Sequence, residues 1–112
     1  MKKILVTGGL GFLGSHLCKN LLKFKNNHVI CVDNQFTGDI QNVAEIINFK
    51  NFQFIDHDIT LPLDLDVDDI YNFACPASPI HYQSNPVQTI KTAVIGTINL
   101  LELAKKRKSR LL

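Results

Sequence analysis

The chain has 112 residues, of which 46% are hydrophobic and 20% charged, and its formal net charge is +2. That balance suits one globular domain with a modest core, and so small a charge does not imply a nucleic-acid partner. No stretch approaches the roughly 20 apolar residues of a membrane span, and glycine ends the apolar run of MKKILV too soon for a secretory signal. Cys18, Cys31 and Cys75 are odd in number and have no CxxC spacing, so they read as reduced small hydrophobes of a cytoplasmic protein.

In chain order, residues 3–7 form a short apolar run and are expected to make a strand. Residues 12–24 carry apolar side chains at 13, 17, 21 and 24, the spacing of a helix. HVICVDN (28–34) reads as a second strand, apolar enough to be covered on both faces. QFTGD is a loop, and residues 40–49 form a weaker helix. FQFID (52–56) and DIYNFAC (69–75) are the third and fourth strands, separated by an acidic loop with Pro62. PASP breaks the chain. Asn85 and Pro86 then supply a cap and a first-turn proline for a helix running to about residue 108, with Ile90, Val94, Ile98, Leu101 and Ala104 towards the core. SRLL ends the chain. Alternation of strands and helices predicts an α/β, Rossmann-like parallel sheet of order 3-2-1-4, with helices on both faces.

Glycines stand at 8, 9, 11 and 14, from the end of the first strand into the start of the first helix. A diphosphate is held well at a helix N-terminus, where unpaired N–H groups and the positive end of the dipole point at it. Gly8 is assigned to the tight turn, Gly11 to close approach of the phosphates, and Gly14 to close packing of the helix. Asp33 ends the second strand 19 positions after Gly14, where a carboxylate accepts hydrogen bonds from ribose hydroxyls. It would repel a 2′-phosphate, so NAD is favoured over NADP. Asn34, Phe36, Thr37 and Gly38 follow as adenosine-side contacts, although an ordinary turn accounts for them equally well.

TGGLGFLG with the strand-ending Asp33 resembles the extended short-chain dehydrogenase/reductase family of NAD-dependent epimerases and dehydratases. Its TGxxGxxG pattern is matched by Thr7, Gly8, Gly11 and Gly14. Within it, VDNQFTG, DHDIT, FACPASPIHYQSNPVQTIKT and GTINLLELAKK are similar to the UDP-glucuronate decarboxylase branch, which forms UDP-xylose and CO₂. The dTDP-glucose 4,6-dehydratases and sugar-nucleotide epimerases stand close by. The resemblance implies backbone N–H contacts from Phe12 and Leu13 to the pyrophosphate, and Asp58 and Ile59 at the adenine. It also implies Phe73, Ala74 and Cys75 along the nicotinamide half, with Lys91 and Asn99 on the sugar-nucleotide side. Without it, Lys91 is an ordinary surface lysine. Ala93 departs from the asparagine common at that position.

The resemblance further implies a catalytic serine or threonine and a YxxxK pair beyond a fifth strand. Tyr71 and Tyr82 have Cys75 and Pro86 four positions on, so neither forms that pair. The expectation is an incomplete NAD-binding domain over residues 1–112, truncated before the fifth strand and inactive alone. A non-catalytic dinucleotide-binding module is the competing reading. The uncovered edge of the fourth strand is expected to favour dimers or aggregation. Six acids between Asp56 and Asp69 read as a solvated edge and not as a metal site, and the basic residues from Lys105 to Arg110 as favouring a helix C-terminus.

Overall fold

Ile4, Leu5 and Val6 are apolar in unbroken succession because their strand is buried on both faces. The computed structural model describes residues 1–35, 38–74 and 86–112. Its strands are β1 (Lys2–Thr7), β2 (Asn27–Asp33), β3 (Phe52–Asp56), β4 (Asp69–Asn72) and β5 (Arg110–Leu111), all parallel, in the order β3-β2-β1-β4-β5. The expected sheet is therefore present. The expected truncation before the fifth strand is corrected: residues 110 and 111 already pair with Asp69 and Ile70. Leu111 packs on the core below, and the Arg110 guanidinium grips the Asp69 carboxylate, so SRLL is more than an apolar scrap.

One face of the sheet presents Ile4, Val6, Val29 and Cys31 to helix α1 (Phe12–Leu21) and the segment carrying Val43 and Ile46. The other presents Leu5, Ile30, Val32 and Ile70 to Leu100, Leu103, Ile59 and Val67. In α1 the stripe that meets the core is Gly14, Ser15 and Cys18, continued by Leu22. Leu17 and Leu21 pack at its margin, while Leu13 and Phe24 are exposed, contrary to the spacing read from sequence. Small residues win the buried position because they let the helix approach the sheet closely.

The expected helix over 40–49 is reduced to a 3₁₀ turn, Ile40–Val43, followed by further turns. The Asp39 side chain accepts from the Gln41 N–H, and Asn42 Nδ2 donates to the Leu10 carbonyl at 2.7 Å, so local and tertiary bonds displace the helical ladder. The last helix is interrupted. Helix α2 (Pro86–Lys91) and helix α3 (Thr97–Arg107) flank one π turn, Thr92–Gly96. The residues turned inward are Thr92, Gly96, Leu100 and Leu103. Of the stripe expected to be core, Ala104 packs against the core, while Ile98, Leu101, Ile90 (62%) and Val94 (52%) are exposed. A Cβ on Gly96 would land on the Ile59 side chain, which shows how tightly this face is pressed. The expected cap Asn85 lies outside the described residues.

The two charged stretches meet each other. Asp64 binds Lys106 at 2.8 Å and Arg107 at 3.0 Å, and Lys106 foremost holds its carboxyl below the usual carboxylate range. Asp69 is not on a solvated edge, because its carboxylate is buried between β1 and β5. It accepts two bonds from Arg110, at 2.9 and 3.0 Å, and pairs with Lys2 at 2.8 Å. Arg110 first, and Lys2 with it, lower its pKa against the opposing effect of burial.

Candidate functional site

The carboxyl ends of the strands gather the candidate residues at one pole. After β1 the chain runs outward through β2 and β3, then crosses back to β4 on the far side of β1. Open α/β sheets bind ligands at such a switch point. Gly8 has φ +68°, a left-handed conformation that glycine adopts without penalty. A Cβ there would also press on the Phe73 carbonyl and lie 2.7 Å from the Ala74 nitrogen. A Cβ on Gly14 would land on the Gly8 carbonyl oxygen, so α1 sits directly on the loop.

Gly11 differs from both. Its φ of −74° and ψ of 176° suit any residue. Among the described residues a Cβ there would meet only the Gly8 oxygen, at 3.4 Å. No contact among them accounts for a glycine at this position, and what it leaves open is the space over the start of α1. Among the described residues no side chain caps that helix end, and no acid lies in its first turn. Ser15 N–H donates to the Gly11 carbonyl, while the N–H groups of Phe12, Leu13 and Gly14 have no partner among the described residues. Phe12 is 74% and Leu13 65% exposed, so their side chains stand clear of the core. Three unpaired amides and an open surface at a helix N-terminus fit a diphosphate group.

Asp33 ends β2 beside this cradle and is 8% exposed. Its Oδ2 accepts from the Leu10 N–H at 3.1 Å and its Oδ1 from the Gln35 N–H at 2.7 Å, so it braces the glycine loop from below. Each oxygen retains a second lone pair for a hydroxyl. Gly38 packs on Leu10, where a Cβ would lie 2.7 Å from the Leu10 carbonyl carbon, and Asn34 is exposed at the loop's start. The Asp58 carboxylate accepts from the Thr60 N–H at 2.9 Å after β3. The Ile59 side chain is buried in the core. Phe73 and Ala74 follow β4 and lie against Gly8. Phe36, Thr37 and Cys75 lie outside the described residues.

Residues 5–111 match the sequence pattern of the family described as GDP-mannose 4,6 dehydratase. The chain belongs to that family. Among its relatives, UDP-glucuronic acid decarboxylase 6 of Arabidopsis thaliana is 54% identical over 110 residues, covering 98% of this chain and 32% of the relative. UDP-glucuronic acid decarboxylase 1 of Danio rerio is 50% identical over 111 residues, covering 99% and 26%. The chain thus spans a third or less of the length of the curated relatives it matches. Among solved structures, dTDP-glucose 4,6-dehydratase from Bacillus anthracis in complex with NAD superposes with a TM-score of 0.82 at 31% identity, covering 99% of this chain and 36% of that one. The Streptomyces venezuelae dTDP-glucose 4,6-dehydratase with NAD bound gives 0.85 at 29% identity, covering 97% and 38%.

The two residues expected on the sugar-nucleotide side, Lys91 and Asn99, lie on the last two helices. Lys91 is exposed at the end of α2. Asn99 donates its Nδ2 to the Ile59 carbonyl at 2.7 Å and lines a shallow cleft with Leu63, Glu102 and Lys106, so its side chain ties α3 to the loop after β3. Two residues at the crevice escaped the sequence reading as site members: Asn72, and Thr7 beyond its place in the glycine pattern. Thr7 Oγ1 donates to Asn72 Oδ1 at 2.7 Å across the switch point. The available signal was a polar residue closing each of two strands straight after their apolar residues. Beneath the loop, Cys18 and Cys31 are buried free thiols. A hydrogen bond with Cys18, then burial, pushes the Cys31 thiol far up, so it stays protonated. No helix among the described residues is long and apolar enough to cross a membrane.

Proposed function

We propose that this chain is the NAD-binding part, residues 1–112, of a cytoplasmic UDP-glucuronate decarboxylase whose substrate is a UDP-sugar. The observation that carries the reading is Gly11, an unstrained position that is open, and followed by three unpaired amides, among the described residues. The N–H groups of Phe12, Leu13 and Gly14 would hold the pyrophosphate, and the Asp33 carboxylate would accept from the adenosine ribose. Asn34, Phe36, Thr37 and Gly38 would border the adenosine, with Asp58 and Ile59 at the adenine. Phe73, Ala74 and Cys75 would line the nicotinamide half. When bound, the nicotinamide supplies reversible oxidation at the sugar's C4, which makes the neighbouring carboxylate a β-keto acid able to lose CO₂.

Identity of 54% to a plant decarboxylase supports this branch over the dehydratases, which share the fold at lower identity. Lys91 and Asn99 are assigned to the sugar-nucleotide side by the resemblance alone. The family's catalytic YxxxK pair does not occur in these 112 residues, and the reading here concerns the cofactor binding that they supply. Calorimetric titration tests the reading. Saturable heat with NAD at millimolar concentration or below, and at least tenfold weaker binding of NADP, is expected. Absence of heat with NAD at several millimolar overturns it.

A further inference from the structure

Asn72 performs two tasks at the end of β4. Its Oδ1 accepts from Thr7 Oγ1 at 2.7 Å and from the N–H of Ala74 at 3.3 Å. An N–H can only donate, so the atom facing Ala74 is the amide oxygen, and the side-chain orientation follows. The second bond closes a turn from a side chain to the backbone two residues on, which redirects the chain as it leaves the sheet. The first ties that turn to β1, in register, since Thr7 and Asn72 are direct partners across the two strands. β5 pairs only with Asp69 and Ile70, so no strand supports Asn72 from the other side among the described residues. Thr7 is fully buried and Asn72 half-buried, so the bond is partly shielded from water. The chain directed in this way, Phe73 and Ala74, lies against Gly8.

We propose that Thr7 and Asn72 form a latch across the switch point that positions the wall of the crevice facing the nicotinamide half of the dinucleotide. They are positioning residues, acting through Phe73 and Ala74. The inference rests on the dinucleotide reading above. It separates the two halves of the ligand, because the amides of Phe12, Leu13 and Gly14 and the Asp33 carboxylate do not depend on the latch.

The test compares NAD with ADP-ribose, which keeps the adenosine and diphosphate but lacks nicotinamide. Thr7→Val keeps the side-chain shape and removes the donor; Thr7→Ser keeps the hydroxyl and removes a buried methyl. In Thr7→Val, affinity for NAD is expected to fall about tenfold with ADP-ribose binding changed less than twofold, and the melting temperature is expected to stay close to wild type. In Thr7→Ser the melting temperature is expected to fall by a few degrees, yet the preference for NAD over ADP-ribose is retained. Asn72→Leu is expected to repeat the NAD-specific loss, and serves if Thr7→Val does not fold. A purely structural role would move both affinities together with stability, and that result overturns the latch. So does a wild-type chain that binds NAD no tighter than ADP-ribose. A chain that binds neither overturns the dinucleotide reading instead.

Discussion

Replacing Gly11 with serine separates what the glycine loop does for the fold from what it does for a ligand. The backbone there is extended and unstrained, and a new Cβ meets only the Gly8 oxygen at 3.4 Å, an ordinary contact. Gly11 is also the cap of α1, with no side chain capping at present. A serine hydroxyl can accept from the Leu13 or Gly14 N–H, and serine exceeds glycine as a cap by about 0.3 kcal/mol. The melting temperature should therefore hold or rise by about 1–2 °C. Binding should move the other way. The hydroxyl takes an amide and stands where the diphosphate would rest, and losing two charge-assisted hydrogen bonds of about 1.5 kcal/mol each amounts to roughly 3 kcal/mol, over a hundredfold in affinity. Thermal melts and calorimetry with NAD on the same preparation read both effects. A Gly11→Ser chain that binds NAD within threefold of wild type would refute the cradle, and one that melts well below wild type would refute the account of the cap.

Other expectations follow from the same geometry. Gly14→Ala drives a methyl into the Gly8 carbonyl, backbone that cannot swing aside, and should cost about 3 kcal/mol, read as a shift in the urea midpoint with unchanged slope. Asp33→Ala strips acceptors from the Leu10 and Gln35 N–H groups; it should destabilise by about 2 kcal/mol and abolish the preference for NAD over NADP, and retention of that preference would remove Asp33 from the ribose. For Arg110→Ala, the folded-state pKa of Asp69 is depressed, so the pair's contribution is complete above the unfolded carboxylate value near pH 4 and disappears as pH falls through the folded one. Wild type should therefore be the more stable of the two at pH 6 and converge with the variant in strong acid; a gap independent of pH down to 2 would refute the assignment. Cys18 and Cys31 are buried and the Cys31 thiol stays protonated, so their alkylation at neutral pH should track unfolding, and rapid labelling of either in the native chain would contradict the packing.

Much of this architecture was legible because the parallel strands announce themselves. Unbroken apolar runs at Ile4–Val6 and Val29–Val32 are what burial on both faces demands, and the glycines between β1 and α1 mark a turn, a close contact and an open approach at separate positions. Which face of a helix turns inward was less legible. Residues 86–107 are apolar in two directions, and the face chosen carries Thr92 and Gly96 because small side chains let the helix settle on Ile59. The π turn that accompanies this choice has no local sequence signature. Asp69 looked like one of several solvated acids; only the register of β4 against β1 and β5 places it between Lys2 and Arg110. At the site, Asn72 was passed over because its role depends on a partner 65 positions away.

Lys2 and Arg110 reach the same carboxylate from either side of β4, so one buried acid clasps three strands together at the amino end of the sheet. The glycine loop leaves β1 at the opposite end. Firmness of the sheet and openness of the crevice are therefore set at separate places: loosening the clasp at Arg110 would soften the base of the sheet while leaving the amides of the loop where they stand.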